Sequence, residues 1–103
     1  MKYSVIVTDD GDYDVEQAMD WYENKQKGLG KKYLNSFTNS IKLLIKNPFA
    51  FAVIFMEIRK VNTKRFPYSL FYQIDEKQNV VVVFAVIHSS RSDEAWKERI
   101  DNT

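Results

Sequence analysis

The chain's 103 residues allow one core of ordinary size but not two, and 45% hydrophobic with 28% charged residues fits a folded chain, so residues 1–103 are expected to form one domain. It contains no cysteine, which excludes a disulfide framework, a thiolate nucleophile and a cysteine-held zinc. The formal net charge of +1 hides a segregation: residues 1–24 carry −6, residues 25–65 carry +9 and residues 66–103 carry −2, as a surface built for an anionic partner requires.

Residues 3–8 are short and β-branched and read as a first strand. Acids follow too soon for a secretory signal, so a soluble, cytoplasmic protein is expected. Asp9, Asp10, Gly11 and Asp12 read as a turn, with Asp12 placed to cap a helix whose first turn holds Asp14 and Glu16. Val15, Ala18, Met19 and Tyr22 give that helix its apolar stripe, and Gly28 stands where a left-handed residue would close it. A second helix is expected over about residues 31–46, with Tyr33, Leu34, Phe37, Ile41, Leu44 and Ile45 on one side. Asn47-Pro48 stops it, and the short link before it makes the two helices an antiparallel hairpin.

The remainder reads as sheet. Residues 55–62, 68–74 and 80–87 are expected strands, the last two joined by a polar hairpin loop. Residues 80–87 are also the longest apolar run, far below the roughly 20 residues of a membrane span. Residues 92–100 end the pattern as a short helix, capped by Ser90 or Ser92. The expected fold is therefore α+β: an N-terminal strand, a two-helix hairpin on a mainly antiparallel sheet of three to four strands, and a short C-terminal helix. Residues 80–87 are apolar on both faces, whereas two helices cover only one face of a small sheet. The second face is expected either under the C-terminal segment or under a partner. Phe84 is expected to pack in the core.

His88 is the single histidine, followed by Ser89, Ser90 and Arg91. A Ser-His pair without an orienting carboxylate or oxyanion hole points weakly to nucleophilic catalysis. One histidine among scattered acids lacks metal-ligand spacing, and Gly28-Leu29-Gly30 lacks the Lys-Ser/Thr of a phosphate loop, so no metal or cofactor is expected. The tight basic set is more specific. Arg59, Lys60, Lys64 and Arg65, joined by Tyr68, Tyr72, His88 and Arg91 from neighbouring strand ends, suits phosphate gripping and base stacking, or an acidic protein segment. Core packing is the competing reading for the tyrosines, and solubility for the helix lysines such as Lys42.

Trp21-Tyr22-Glu23, Gly28-Leu29-Gly30, Asn47-Pro48, Ile58-Arg59, Arg65-Phe66-Pro67-Tyr68, Tyr72, Ala85-Val86-Ile87-His88, Arg91, Trp96 and Arg99 together resemble the RelE/ParE toxin superfamily in its ParE-like branch. The resemblance spans nearly the whole chain, and the run from Arg65 to Tyr68 with the His88, Arg91, Trp96 spacing is its most specific part. It implies the toxin of a type II toxin–antitoxin, or plasmid-stabilisation, module of a bacterium, neutralised by a cognate antitoxin that covers its hydrophobic and basic surface. It implies growth inhibition by binding, with DNA gyrase the expected target and a homodimer left open. Arg59, Lys60, Lys64, Arg65, Tyr68, Tyr72, His88, Arg91 and Trp96 are then the target- or antitoxin-binding candidates. The alternative is a RelE-like, ribosome-dependent mRNA endoribonuclease using Arg59, Arg65, His88 and Arg91. Two departures bear on it: Ser69 stands where that branch has an arginine after the sheet tyrosine, and Trp96 stands roughly where it has a tyrosine.

Overall fold

The computed structural model describes residues 2–101, to which every structural statement below refers. In chain order the elements are β1 (Ser4–Val7), α1 (Asp9–Lys25), α2 (Leu29–Lys46), a 3-10 turn (Pro48–Ala50), β2 (Val53–Phe55), β3 (Ile58–Asn62), β4 (Tyr68–Asp75), β5 (Val80–His88) and α3 (Glu94–Asp101). The fold is the α+β arrangement expected, but with five strands, in the order β1-β5-β4-β3-β2. β1 runs parallel to β5, and the other neighbours are antiparallel. The additional strand arises where residues 55–62 read as one. Met56 adopts a φ of 50°, and with Glu57 it turns β2 back against β3.

α1 starts earlier than the aspartate cluster suggests. Thr8, not Asp12, is the cap: its hydroxyl accepts the Gly11 N–H at 3.1 Å, and Asp9, Asp10 and Asp12 occupy the first turn, where the helix dipole favours them. Gly11 lies within α1 where the helix passes close against β1 and β5. A Cβ on it would lie 2.9 Å from Val7 Cγ1 and 3.2 Å from the Val83 carbonyl oxygen.

Between the helices Gly28 takes the left-handed φ of 88°. The Glu23 carboxylate reaches across the turn and accepts the N–H groups of Gly28 and Gly30, each at 3.0 Å, and so caps α2 from the preceding helix. α2 therefore begins at Leu29 rather than near residue 31. Its end at Lys46 is as expected, with the Asn47 side chain accepting the Phe49 N–H at 3.1 Å to start the 3-10 turn.

The sheet has an apolar layer on each face. On one, Val61, Leu70, Tyr72, Val81, Val83 and Val86 meet Val15 and Ala18 of α1 and Tyr33, Phe37 and Leu44 of α2. On the other, Ile58, Phe71, Ala85 and Ile87 are covered by Trp96 of α3, whose ring stacks on Phe71 at 5.2 Å. The C-terminal segment thus takes the second face.

A bulge fixes how α3 is held. Phe71 pairs with Ala85 and Tyr72 with Val83, which leaves Phe84 as the extra residue of β5, half-buried rather than central. β1 accompanies β5 only as far as Val83, so the next stretch of that edge has no strand beside it. Side chains take over. Asp14 accepts the Val86 N–H at 2.9 Å, and Arg99 donates to the Phe84 carbonyl at 3.0 Å. Both guanidinium nitrogens of Arg99 also grip Asp14. This ion pair ties α3, β5 and α1 together, and its hydrogen bond to Asp14 raises the Arg99 pKa further.

Candidate functional site

A cleft of about 330 Å³ opens on the α3 side of the sheet. β3 supplies Lys60 and Asn62, β4 supplies Tyr68 and Ser69, β5 supplies His88, and the segment leading to α3 supplies Arg91 and Asp93. Strand register sets these positions. Lys60 pairs with Phe71 and Asn62 with Ser69, so both β3 side chains share the α3 face. The Ser69 hydroxyl donates to the Asn62 side-chain oxygen at 2.6 Å, and the neighbouring cations, Lys60 and Arg91, are exposed.

Hydrogen bonds engage ring nitrogens of both His88 and Trp96. His88 Nδ1 accepts the Ser90 N–H at 3.0 Å, so the neutral ring carries its proton on Nε2 and presents a donor to the solvent. Trp96 is buried in the cleft floor, with its indole N–H donated to Asp93 at 3.2 Å. An indole moves no protons.

Tyr68 sits at the divide between this cleft and a second groove of about 560 Å³, which runs along α1 past Tyr13, Gln17 and Trp21. Tyr68, His88 and Arg91 line both depressions. The Tyr68 ring packs edge-on against His88 at 5.1 Å and Tyr33 at 5.0 Å. Burial pushes its hydroxyl pKa up, and the neighbouring Tyr22 adds to the rise. It is a rigid aromatic ridge with one polar tip.

The basic set expected from the sequence does not converge. Lys60 and Arg91 share the cleft, whereas Arg59 alternates to the helix face opposite Tyr72. There Arg59 donates to the carbonyls of Phe51 at 2.6 Å and Phe49 at 3.3 Å, fastening the 3-10 turn to β3. Lys64 and Arg65 are exposed at the β3–β4 turn, outside the cleft lining, with Arg65 at a φ of 72°. Tyr72 is fully buried and donates its hydroxyl to the Pro48 carbonyl at 2.7 Å. Its place is in the core, where burial holds its pKa at about 12 against a small opposing pull from Arg59.

Sequence reasoning missed Asn62 and Ser69, whose pairing depends on register, and the Asp14–Arg99 clamp. Asp14 lies near a helix N-terminus, where an acid is expected on dipole grounds alone, so nothing local marks it as a partner for residue 99. Among the described residues no helix is long and apolar enough to cross a membrane.

Comparison with known proteins agrees with this geometry. A family model described as the ParE toxin of the type II toxin–antitoxin system parDE matches residues 5–93. No curated protein matches the sequence. Among solved structures, the chain is similar to one from the chromosomal ParDE system of Pseudomonas aeruginosa, at 15% identity and a TM-score of 0.69 over 84% of this chain and 96% of that one. It is also similar to a chain of the Escherichia coli RelBE complex, at 17% identity and 0.65 over 86% and 99%, and to one of the archaeal RelE–RelB complex of Pyrococcus horikoshii, at 14% and 0.60 over 89% and 100%. At these identities the likeness is one of fold.

Proposed function

Because the chain belongs to the ParE toxin family of type II toxin–antitoxin systems, we propose that it arrests growth by binding a cellular target, DNA gyrase, and that a cognate antitoxin neutralises it by covering the cleft. The observation that supports the binding reading is the surface the cleft presents. His88 Nδ1 accepts the Ser90 N–H and Asp93 Oδ1 accepts the Trp96 indole N–H, which leaves the exposed cations Lys60 and Arg91 beside the aromatic ridge of Tyr68. Such a surface recognises charge and shape.

The test is a supercoiling assay with purified gyrase and the purified chain. Supercoiling is expected to stop, or cleaved DNA to accumulate, and Arg91→Ala to relieve the block. Unaltered supercoiling at saturating protein would refute the gyrase target. The alternative, a ribosome-dependent endoribonuclease, draws on Lys60 and Arg91, which can stabilise charge developing on a phosphate. Mapping transcript ends after induction separates the two, since codon-spaced cuts belong only to the nuclease.

A further inference from the structure

α2 carries Lys31, Lys32, Lys42 and Lys46, all of them exposed, and no acid stands anywhere along its 18 residues. Lys31, Asn35, Asn39, Lys42 and Lys46 recur every three or four positions, so they form one polar stripe on the outward side of the helix, about 22 Å from end to end. Tyr33, Phe37 and Leu44 take the other side into the core. Among the described residues no acid lies within ion-pair reach of these lysines. A face kept soluble by charge mixes both signs, whereas this one holds a single sign.

The turn between β3 and β4 extends the stripe. Ser36, one helical turn beyond Lys32 on the same side of α2, donates its hydroxyl to the Lys64 carbonyl. The Thr63 hydroxyl donates to the Phe66 carbonyl at 2.7 Å and closes the turn. The exposed Lys64 and Arg65 are thereby fastened to the side of α2 that carries Lys32. Arg65 holds a φ of 72°, which glycine or asparagine would adopt with less strain. A cation kept in solvent at the backbone's expense serves contact rather than stability. The neighbouring α1 is acidic, with Asp9, Asp10 and Asp12 in its first turn, so an anion meets α2 most freely from the side of the β3–β4 turn. None of these six cations lines the cleft, which opens on the opposite, α3 side of the sheet.

We propose that Lys31, Lys32, Lys42 and Lys46 of α2, with Lys64 and Arg65 of the β3–β4 turn, form a second binding surface that holds the phosphate backbone of a nucleic-acid duplex without reading its sequence. Lysine and asparagine donate to phosphate oxygens, and a straight row of them suits the regular phosphate spacing of a duplex. A single strand would need rings on which its bases stack, but the rings of α2, Tyr33 and Phe37, are buried. A lipid surface fits less well. The exposed apolar residues of α2, Leu34 and Leu43, stand nine positions apart and so on opposite flanks of the stripe, which leaves the helix no apolar face to insert. The inference does not depend on which target the cleft recognises.

The test follows the fluorescence anisotropy of labelled DNA and RNA duplexes, and of a DNA single strand of equal length, on titration with the intact chain. Two duplexes of unrelated sequence are expected to bind equally, and the single strand about tenfold more weakly. Roughly six phosphate contacts predict a slope of log K against log salt near −5, so affinity should fall about a thousandfold between about 50 and 200 mM salt. Lys42→Ala should lessen that slope by about 1, and joint replacement of Lys31, Lys42 and Lys46 by alanine should weaken binding at least about tenfold. Arg65→Gly gives an independent reading: easing the backbone should raise the thermal midpoint while losing the cation weakens duplex binding severalfold. Lys60→Ala, in the cleft, is expected to leave duplex affinity unchanged. Binding of either duplex in this pattern supports the proposal, and the tighter of the two identifies the source of the phosphates. No duplex bound at about 50 mM salt overturns it, as does a single strand held as tightly as the duplexes. So does a loss of affinity in Lys60→Ala with none in the triple α2 variant, or an Arg65→Gly chain that binds duplex like the parent. Recruitment to phosphatidylglycerol vesicles with no duplex bound would assign the face to a lipid surface and overturn it as well.

Discussion

Replacing Asp14 by alanine is the sharpest test of how the second face of the sheet is closed. Two losses follow. The Val86 N–H, whose acceptor sits 2.9 Å away on Asp14, is left without one, at a cost of about 1–3 kcal/mol. Arg99 also loses its carboxylate. Breaking a fully buried pair costs about 3–5 kcal/mol, yet the Arg99 side chain is 22% exposed and can turn toward water, so roughly 1–2 kcal/mol is the fitting share. Asp14→Ala is therefore expected to destabilise the fold by about 3 kcal/mol, lowering a urea midpoint by about 2 M for an m-value near 1.5 kcal/mol/M. Asp14→Asn retains an acceptor for Val86 and should lose only about 1–2 kcal/mol. In a Trp21→Phe background the remaining indole, Trp96, reports on α3. Its emission should shift to the red in Asp14→Ala before global unfolding, since the anchor at Arg99 is gone. An Asp14→Ala midpoint equal to the parent's, or identical midpoints for the alanine and asparagine variants, would refute the clamp.

Gly30→Ala should destabilise the helix hairpin by about 1–3 kcal/mol in thermal melts, because its Cβ would sit 2.7 Å from the Met19 carbonyl oxygen and the helices must part. Tyr33→Phe and Tyr72→Phe should differ: the buried Tyr33 hydroxyl has no hydrogen-bond partner, so its removal is neutral or stabilising, while Tyr72→Phe orphans the Pro48 carbonyl and costs about 1–2 kcal/mol by urea unfolding. The same burial sets a pH dependence. Tyr72 titrates at about 12 in the folded chain against its ordinary 10.0, so its stabilising contribution is complete below pH 10 and lost as pH rises through 12, and Tyr72→Phe should shallow that decline in alkaline melts. Phe71→Ala, which removes the ring beneath Trp96, should cost about 3–5 kcal/mol and Phe84→Ala distinctly less; equal losses would show that the bulge residue packs as core.

The helices and the two long strands were legible because their apolar periodicity is strong and their boundaries carry Gly28, Pro48 and a polar loop. Boundaries decided by tertiary contact were not. Gly11 reads as a turn residue until Val7 and Val83 are seen against it, and Gly30 reads as a linker until the Met19 carbonyl is placed beside it. The split of residues 53–62 into β2 and β3 rests on a methionine in a conformation that sequence rules reserve for other residues. At the candidate site, residue type gave Lys60, Tyr68, His88 and Arg91 their places on the cleft wall. It failed for Arg59 and Tyr72 because alternation along a strand sends adjacent residues to opposite faces, and the register that decides between them is not written locally.

The grip of Arg99 on Asp14 spans 85 positions of sequence, and β1 cannot find its parallel neighbour until residues 80–83 exist. At translation speeds of about 5–20 residues per second, α1 waits on the order of ten seconds after its own synthesis for the groups that complete its surroundings. Until those residues are made, a nascent chain of this topology cannot complete its sheet. The delay gives any partner of the finished sheet time to be made before the surface it would meet exists.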